Sequence, residues 1–318
     1  MWGSRVPAPP YGVLVTSPIS RPSLDSPAEL RAALDSVGYL ADEGVATAAF
    51  LALHMQRPLF CEGDAGVGKT ALATALAALL DTPLIRLQCY EGLDATQALY
   101  DWDFPRQLLH LRAAEAVGAL DADQLEREIF DRRFLLARPL LQALEGGADG
   151  RPAVLLVDEV DRADDEFEAF LLEVLSEWSI TVPELGTLRA EVPPVVVVTS
   201  NRTREVHDAL KRRCLYHWLP HPGLEREVAI IQRRLPGATA ELAHAVAAVA
   251  ARARQEDLLK PPGVAESLDW TSALMALGVR DLGPAELDLA ATSLGAFVKY
   301  REDQERVAER LTEWAAAG

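Results

Sequence analysis

Gly63-Asp64-Ala65-Gly66-Val67-Gly68-Lys69-Thr70 is a complete G-x-x-x-x-G-K-[ST] stretch. Wrapping a chain around a triphosphate needs small residues so that successive amides turn inward, a cation for the outer phosphates, and a hydroxyl for a metal ion. Gly63, Gly66 and Gly68 meet the first need, Lys69 the second and Thr70 the third. The flanks agree. Pro58 to Glu62 (PLFCE) predicts a short apolar strand running into the loop, and Thr70 to Leu80 (TALATALAALL) predicts an Ala/Leu-rich helix leaving it. Strand, loop, helix is the order such a loop requires, and it aims the helix N-terminus at the phosphates.

Working outward, Leu84 to Gln88 (LIRLQ), Ala153 to Val157 (AVLLV) and Val195 to Thr199 (VVVVT) predict further strands. The last two are apolar without a break, as in a parallel strand covered on both faces. Open α/β sheets keep their ligands at the C-terminal ends of such strands. AVLLV runs into Asp158-Glu159, and VVVVT into Ser200-Asn201. One acid of the pair can hold magnesium, usually through water, while the next reaches the attacking water; Glu159 is the candidate general base. Asn201 can hydrogen-bond the same water or the terminal phosphate. A solvated acidic cap competes with the first reading, since Asp161, Asp164 and Asp165 follow, and an ordinary turn competes with the second.

The remaining chain predicts mostly helix. Ser26-Pro27-Ala28-Glu29 reads as a capping box opening a helix to about Ser36, and a second helix covers Asp42 to Gln56. Cys89 to His110 is too long and aromatic for a simple connection and reads as an inserted element. Helices are predicted at Arg106 to Val117 and Asp123 to Leu144, closed by a turn at Glu145-Gly146-Gly147. Asp164 to Trp178 is an amphipathic helix, Ser179 to Glu191 a hairpin, and Arg204 to Arg213 a helix ending in Lys211-Arg212-Arg213. Past Pro220 come Ala/Leu/Arg helices at about Leu224 to Arg234, Ala240 to Glu256, Glu266 to Gly278 and Pro284 to Ala316. The predicted division is a flexible Pro-rich tail (1–24, with Pro7, Pro9, Pro10, Pro18 and Pro22), an α/β nucleotide-binding domain (25–220) and a helical lid (221–318).

Charge narrows the partners. The 318 residues carry 48 Asp and Glu against 31 Lys and Arg, a formal charge of -17, which repels nucleic acid and anionic membranes. Cys61, Cys89 and Cys214 lie far apart in apolar surroundings and read as buried reduced thiols of a cytoplasmic protein. Met1 to Pro10 lacks the features of a signal peptide, and no apolar run of about 18 residues predicts membrane insertion.

Lys211-Arg212-Arg213 suits a helix C-terminus for dipole reasons alone. It also suits an arginine finger reaching a neighbouring subunit's site, with Arg212 and Arg213 both open as the finger. His217 and His221 have a metal-binding helical spacing, but Pro220 and Pro222 make a domain-junction loop the better reading. Tyr90, Tyr100, Trp102 and Phe104 fit a partner surface or ordinary packing equally well.

Phosphate loop, Asp-Glu strand, Asn-tipped strand, Arg-ended helix and helical lid, in that order, resemble the AAA+ ATPases. More narrowly, GDAGVGKT, RLQCYEGLDATQALYDWDF, LLVDEVDRADDEFEAFLLEVLSE and TSNRTREVHDALKRRCLYHW resemble the MoxR family, especially its branch associated with carbon monoxide dehydrogenase maturation. The similarity covers about residues 40 to 280. It implies an α/β P-loop NTPase fold, a parallel sheet sandwiched by helices and followed by a smaller all-α lid. It also implies ATP and Mg²⁺, held by Gly63, Asp64, Ala65, Gly66, Val67, Gly68, Lys69 and Thr70 with Asp158. A commonly hexameric ring would use hydrolysis to remodel or mature a client, here a metalloenzyme such as a molybdenum-containing carbon monoxide dehydrogenase, often with a von Willebrand factor A domain partner. CYEGLDATQALYDWDF resembles the helix-2 insert of these rings, and Ser179 to Glu191 their pre-sensor hairpin. The family's lid arginine matches roughly at Asp269-Trp270, with Arg280 as a poorly placed substitute. A P-loop kinase of a small molecule and a nucleic-acid-linked AAA+ motor are the alternatives.

Overall fold

The computed structural model describes residues 24–117, 128–146 and 151–316. The predicted tail, apart from its last residue, the start of the predicted Asp123 to Leu144 helix and Gly147 of the predicted turn lie outside the described residues. In chain order, Pro27–Ser36 (α1) and Glu43–Met55 (α2) precede Leu59–Glu62 (β1), and the glycine loop leads into Lys69–Leu80 (α3). Leu84–Gln88 (β2) follows, then Ala95–Leu99 (α4), Tyr100–Trp102 (β3), Phe104–Val117 (α5), Leu135–Ala137 (β4) and Pro139–Glu145 (α6). Val154–Asp158 (β5) and Asp165–Glu177 (α7) lead to the hairpin Ser179–Val182 (β6) and Gly186–Arg189 (β7). Val195–Ser200 (β8), Asp208–Arg213 (α8) and Leu215–Trp218 (β9) complete the α/β part.

The main sheet has the order β2-β5-β8-β1-β9, with every adjacent pair parallel. Its strands alternate between two cores. Phe60, Leu155, Val157, Val196 and Val198 join Phe167 and Leu171 of α7 on one face. Leu59, Cys61, Val154, Leu156 and Val197 join Leu30, Val45 and Leu72 of α1, α2 and α3 on the other. Both faces being covered is why these strands read as unbroken apolar runs. Leu156 is fully buried at this centre. Leu156→Ala is expected to cost about 2–5 kcal/mol, read as a lower denaturant midpoint.

Capping side chains set the helix starts. Ser26 Oγ accepts from Glu29 N at 3.2 Å, Asp42 Oδ1 from Val45 N at 2.7 Å and Asp164 Oδ1 from Phe167 N at 2.9 Å. The three thiols are buried, and burial pushes each up to about 12, so they stay protonated and act as small apolar groups.

Four sequence expectations are corrected. The Asp123 to Leu144 helix is interrupted: Pro139 holds Arg138 extended, and Leu135–Ala137 pairs antiparallel with Tyr100–Trp102 before α6 begins. The Arg204 to Arg213 helix starts only at Asp208, and buried carboxylates tie down the segment before it. Asp161 Oδ2 accepts from Thr203 N at 2.8 Å, and Glu168 Oε2 from His207 N at 2.8 Å. His217 lies on β9, a short edge strand rather than a junction loop. Pro284 to Ala316 divides into Leu287–Thr292 and Arg301–Ala316, with Leu294, Phe297 and Val298 of the break buried.

The helical region comprises Leu224–Arg234 (α9), Ala240–Ala253 (α10), Val264–Ala276 (α11), Leu287–Thr292 (α12) and Arg301–Ala316 (α13). It has its own core, in which Trp270 stacks on Phe297 with centroids 4.6 Å apart. Glu227 of α9, fully buried, accepts from Arg254, the residue that follows α10, at 2.6 and 2.8 Å. Among the described residues, no helix is long and apolar enough to cross a membrane.

Candidate functional site

Parallel pairing brings three strand tips together. Glu62 of β1 lies opposite Ser200 of β8, and Val157 of β5 opposite Val198, so the glycine loop, Asp158-Glu159 and Asn201 share one end of the sheet. Gly66 and Gly68 have φ of +77° and +101°, in the region that favours glycine. Gly63 is required by proximity: a Cβ there would lie 2.4 Å from the Leu219 carbonyl oxygen. Gly63→Ala is therefore expected to displace the loop and weaken nucleotide binding by about tenfold or more, measured by titration of a fluorescent nucleotide.

Lys69 is almost fully buried, and its Nζ donates to the Gly63 and Asp64 carbonyls, each at 2.7 Å. Burial holds its pKa below the usual lysine range, opposed by the acids Asp161, Asp64 and Asp158. Thr70 Oγ1 donates to Asp158 Oδ1 at 3.2 Å, and Thr199 Oγ1 donates to the same oxygen at 2.6 Å. The Thr70 hydroxyl and Asp158 carboxylate are hard oxygen donors beside a phosphate cradle, a set that fits magnesium. Glu159 Oε1 accepts from Asn201 Nδ2 at 3.3 Å, while Oε2 accepts from Gln88 Nε2 at 3.0 Å and Arg162 at 3.1 Å. Glu159 also has φ +56° and ψ +52°, a left-handed backbone unusual for its type. Its amide donates to Thr199 Oγ1 at 2.9 Å, which fixes the turn.

Of the residues read from sequence, Thr70, Asp158, Glu159 and Asn201 therefore form one cluster, joined through Thr199, and Lys69 stands beside it on the loop carbonyls. Arg212 and Arg213 are not in it. Their side chains are exposed at the end of α8, where Arg57 binds the carbonyls of Arg212, Arg213 and Cys214. Arg280 follows the C-terminus of α11, whose 13 residues put about 20 Å between it and the helix start. The start of α11, not Asp269-Trp270, meets the loop: Gly263, Ala265 and Glu266 lie against Gly66. Val264 N and Ala265 N donate to the Gly66 carbonyl at 3.0 and 3.3 Å, whereas Trp270 is buried in the core of the helical region.

Several site residues were not singled out from sequence. Arg86 and Gln88 alternate along β2 and reach the acids of β5; polar side chains at alternate positions of LIRLQ were the available signal. Asp161, a reason to suspect a solvated acidic run, is buried and receives Asn201 N at 3.2 Å as well as Thr203 N. Buried Glu62 accepts from Tyr216 Oη at 2.8 Å, and burial and this bond push the phenol up to about 12. His221 Nε2 lies 3.2 Å from Asp64 Oδ2; burial, then nearby Arg254, hold its pKa low. Beside the loop, Tyr39, Val67, Ala75, Ile230 and Leu268 line a mainly apolar cleft of about 290 Å³.

Residues 58–214 match a family model described as AAA domain (dynein-related subfamily). Among solved structures, the chain is similar to a Pro-to-Gly mutant of Thermotoga maritima RuvB, with 15% identity, 86% of this chain and 72% of that one covered, and a TM-score of 0.44. It is similar also to the Thermotoga maritima RuvB Holliday junction branch migration motor, with 15% identity, 82% and 68% covered, and a TM-score of 0.43. No curated protein matches the chain.

Proposed function

We propose that residues 58–214, an AAA domain of the dynein-related subfamily, bind and hydrolyse ATP at the Gly63–Thr70 loop. The observation that carries this reading is the hydrogen-bonded convergence of Thr70, Asp158, Glu159 and Asn201 beside the buried Lys69. Lys69 exchanges its two loop carbonyls for phosphate oxygens. Thr70 and Asp158 would hold Mg²⁺, which supplies charge neutralisation on the phosphates when bound. Glu159 takes the proton of the attacking water, and Asn201 orients that water. The apolar cleft beside Tyr39 receives the base, and Arg212 or Arg213 acts on a neighbouring subunit's phosphates.

The working unit in this proposal is a cytoplasmic homo-hexameric ring, each chain dividing into the tail 1–24, the nucleotide-binding domain 25–220 and the lid 221–318. Hydrolysis alone does no work, so its free energy must favour one arrangement of lid and insert over another. The finer reading, a MoxR-like chaperone for a metalloenzyme client with a von Willebrand factor A domain partner, rests on the four quoted sequence segments. The net charge of -17 supports protein over nucleic acid as the partner.

Phosphate release from Mg-ATP by the purified protein tests the proposal. Release without any acceptor molecule is expected. Transfer only to a small-molecule acceptor would favour the kinase alternative, and release dependent on added DNA the nucleic-acid motor.

A further inference from the structure

Arg86 occupies an unusual place for a half-exposed residue of an edge strand. Its Nη2 lies 2.6 Å from Asp158 Oδ2, with the arginine side chain 55% exposed and the aspartate side chain 5%. The other carboxylate oxygen is already used by Thr70 and Thr199. Both oxygens of the candidate metal ligand are thus engaged by this chain's own donors, one of them a full positive charge. The same Nη2 donates to Gln88 Oε1 at 2.6 Å, and the Gln88 amide in turn donates to Glu159.

A guanidinium and a divalent cation on one carboxylate repel each other, and the partly buried setting screens them poorly. Arg86 has solvent on its outer side, so it can leave without unfolding the strand. We propose that Arg86 is a displaceable counter-ion: it holds Asp158 until the divalent cation arrives with nucleotide, and is expelled then. This inference rests on the nucleotide-binding reading above and adds a competitor for its metal position.

The test is Mn²⁺ binding followed by electron paramagnetic resonance, with a saturating non-hydrolysable ATP analogue, for the wild type, Arg86→Gln, Arg86→Met and Arg86→Lys. Both neutral variants are expected to lower the Mn²⁺ concentration at half-saturation by about tenfold, with Arg86→Lys close to wild type. Arg86→Met keeps the aliphatic stem, which guards against a packing defect in Arg86→Gln. Unchanged or weaker Mn²⁺ binding in the neutral variants, with the wild type binding normally, would overturn the proposal. Failure of the wild type to bind Mn²⁺ with the analogue would overturn the nucleotide reading and this inference with it.

Discussion

Glu159→Gln is expected to lower ATP turnover by about 10²–10⁴-fold while leaving ATP bound. The amide keeps the shape of the carboxylate and an oxygen for hydrogen bonding, but it cannot take a proton from water. Its surroundings do not depend on the charge alone. The backbone of residue 159 is fixed by the Thr199 hydroxyl, and the Thr70–Asp158 hydrogen bond does not involve the substituted group. Because ATP binds and hydrolysis stalls, the variant should also accumulate any nucleotide-dependent assembly. Light scattering with Mg-ATP should then report a ring, and without nucleotide a smaller species. A monomer in both conditions, with ATP binding confirmed by titration, would sink the assembly half of the proposal. Turnover near the wild-type rate would sink the assignment of Glu159 as base.

The variant depends on contacts of two different kinds of legibility. Asp158, Glu159 and Asn201 were readable because they follow unbroken apolar runs, and a parallel sheet must put such strand ends on one edge. Their partners were not. Gln88 and Arg86 meet the acids only through the register that sets Gln88 opposite Asp158, and register is a tertiary property. Asp161 looked like one more surface acid, yet it is buried because it receives the backbone amides of Asn201 and Thr203. Downstream, Glu168 holds the His207 amide and the helix begins only at Asp208, an outcome that helical propensity in Arg204 to Arg213 could not reveal. Edge strand Leu215–Trp218 was missed for a similar reason: four residues with two partly polar side chains carry little pattern, and pairing with β1 decides them. In the C-terminal helical region, helix existence was legible from Ala/Leu/Arg-rich stretches set between Pro-Gly breaks. Which end of α11 meets the phosphate loop was not, since that contact is made by backbone amides of Val264 and Ala265.

Alanine at one of Arg212 and Arg213 is expected to reduce turnover by about 10³-fold or more while sparing nucleotide affinity, the effect of removing an arginine finger. Two features support an outward role. Both side chains are exposed and lie outside the cluster around Glu159, so a lost guanidinium would not be felt within its own subunit's hydrogen bonds. The backbone that carries them is nonetheless fixed, since Arg57 donates to the carbonyls of Arg212 at 2.8 Å and of Arg213 and Cys214 at 3.2 Å each. A cation on a fixed, exposed helix end is what a neighbouring site needs, because little ordering is left to the moment of reaction. Mixing variants separates action between subunits from damage within one. A subunit with Glu159 intact but its finger removed is inactive alone, and so is a Glu159→Gln subunit with its finger intact. In a mixed ring the first can receive an arginine from the second, and activity should return in proportion to such neighbours. Two inactive variants that stay inactive when mixed, although light scattering shows joint assembly, would assign the arginine a role within its own chain. Full turnover in both Arg212→Ala and Arg213→Ala would remove the finger from this helix altogether.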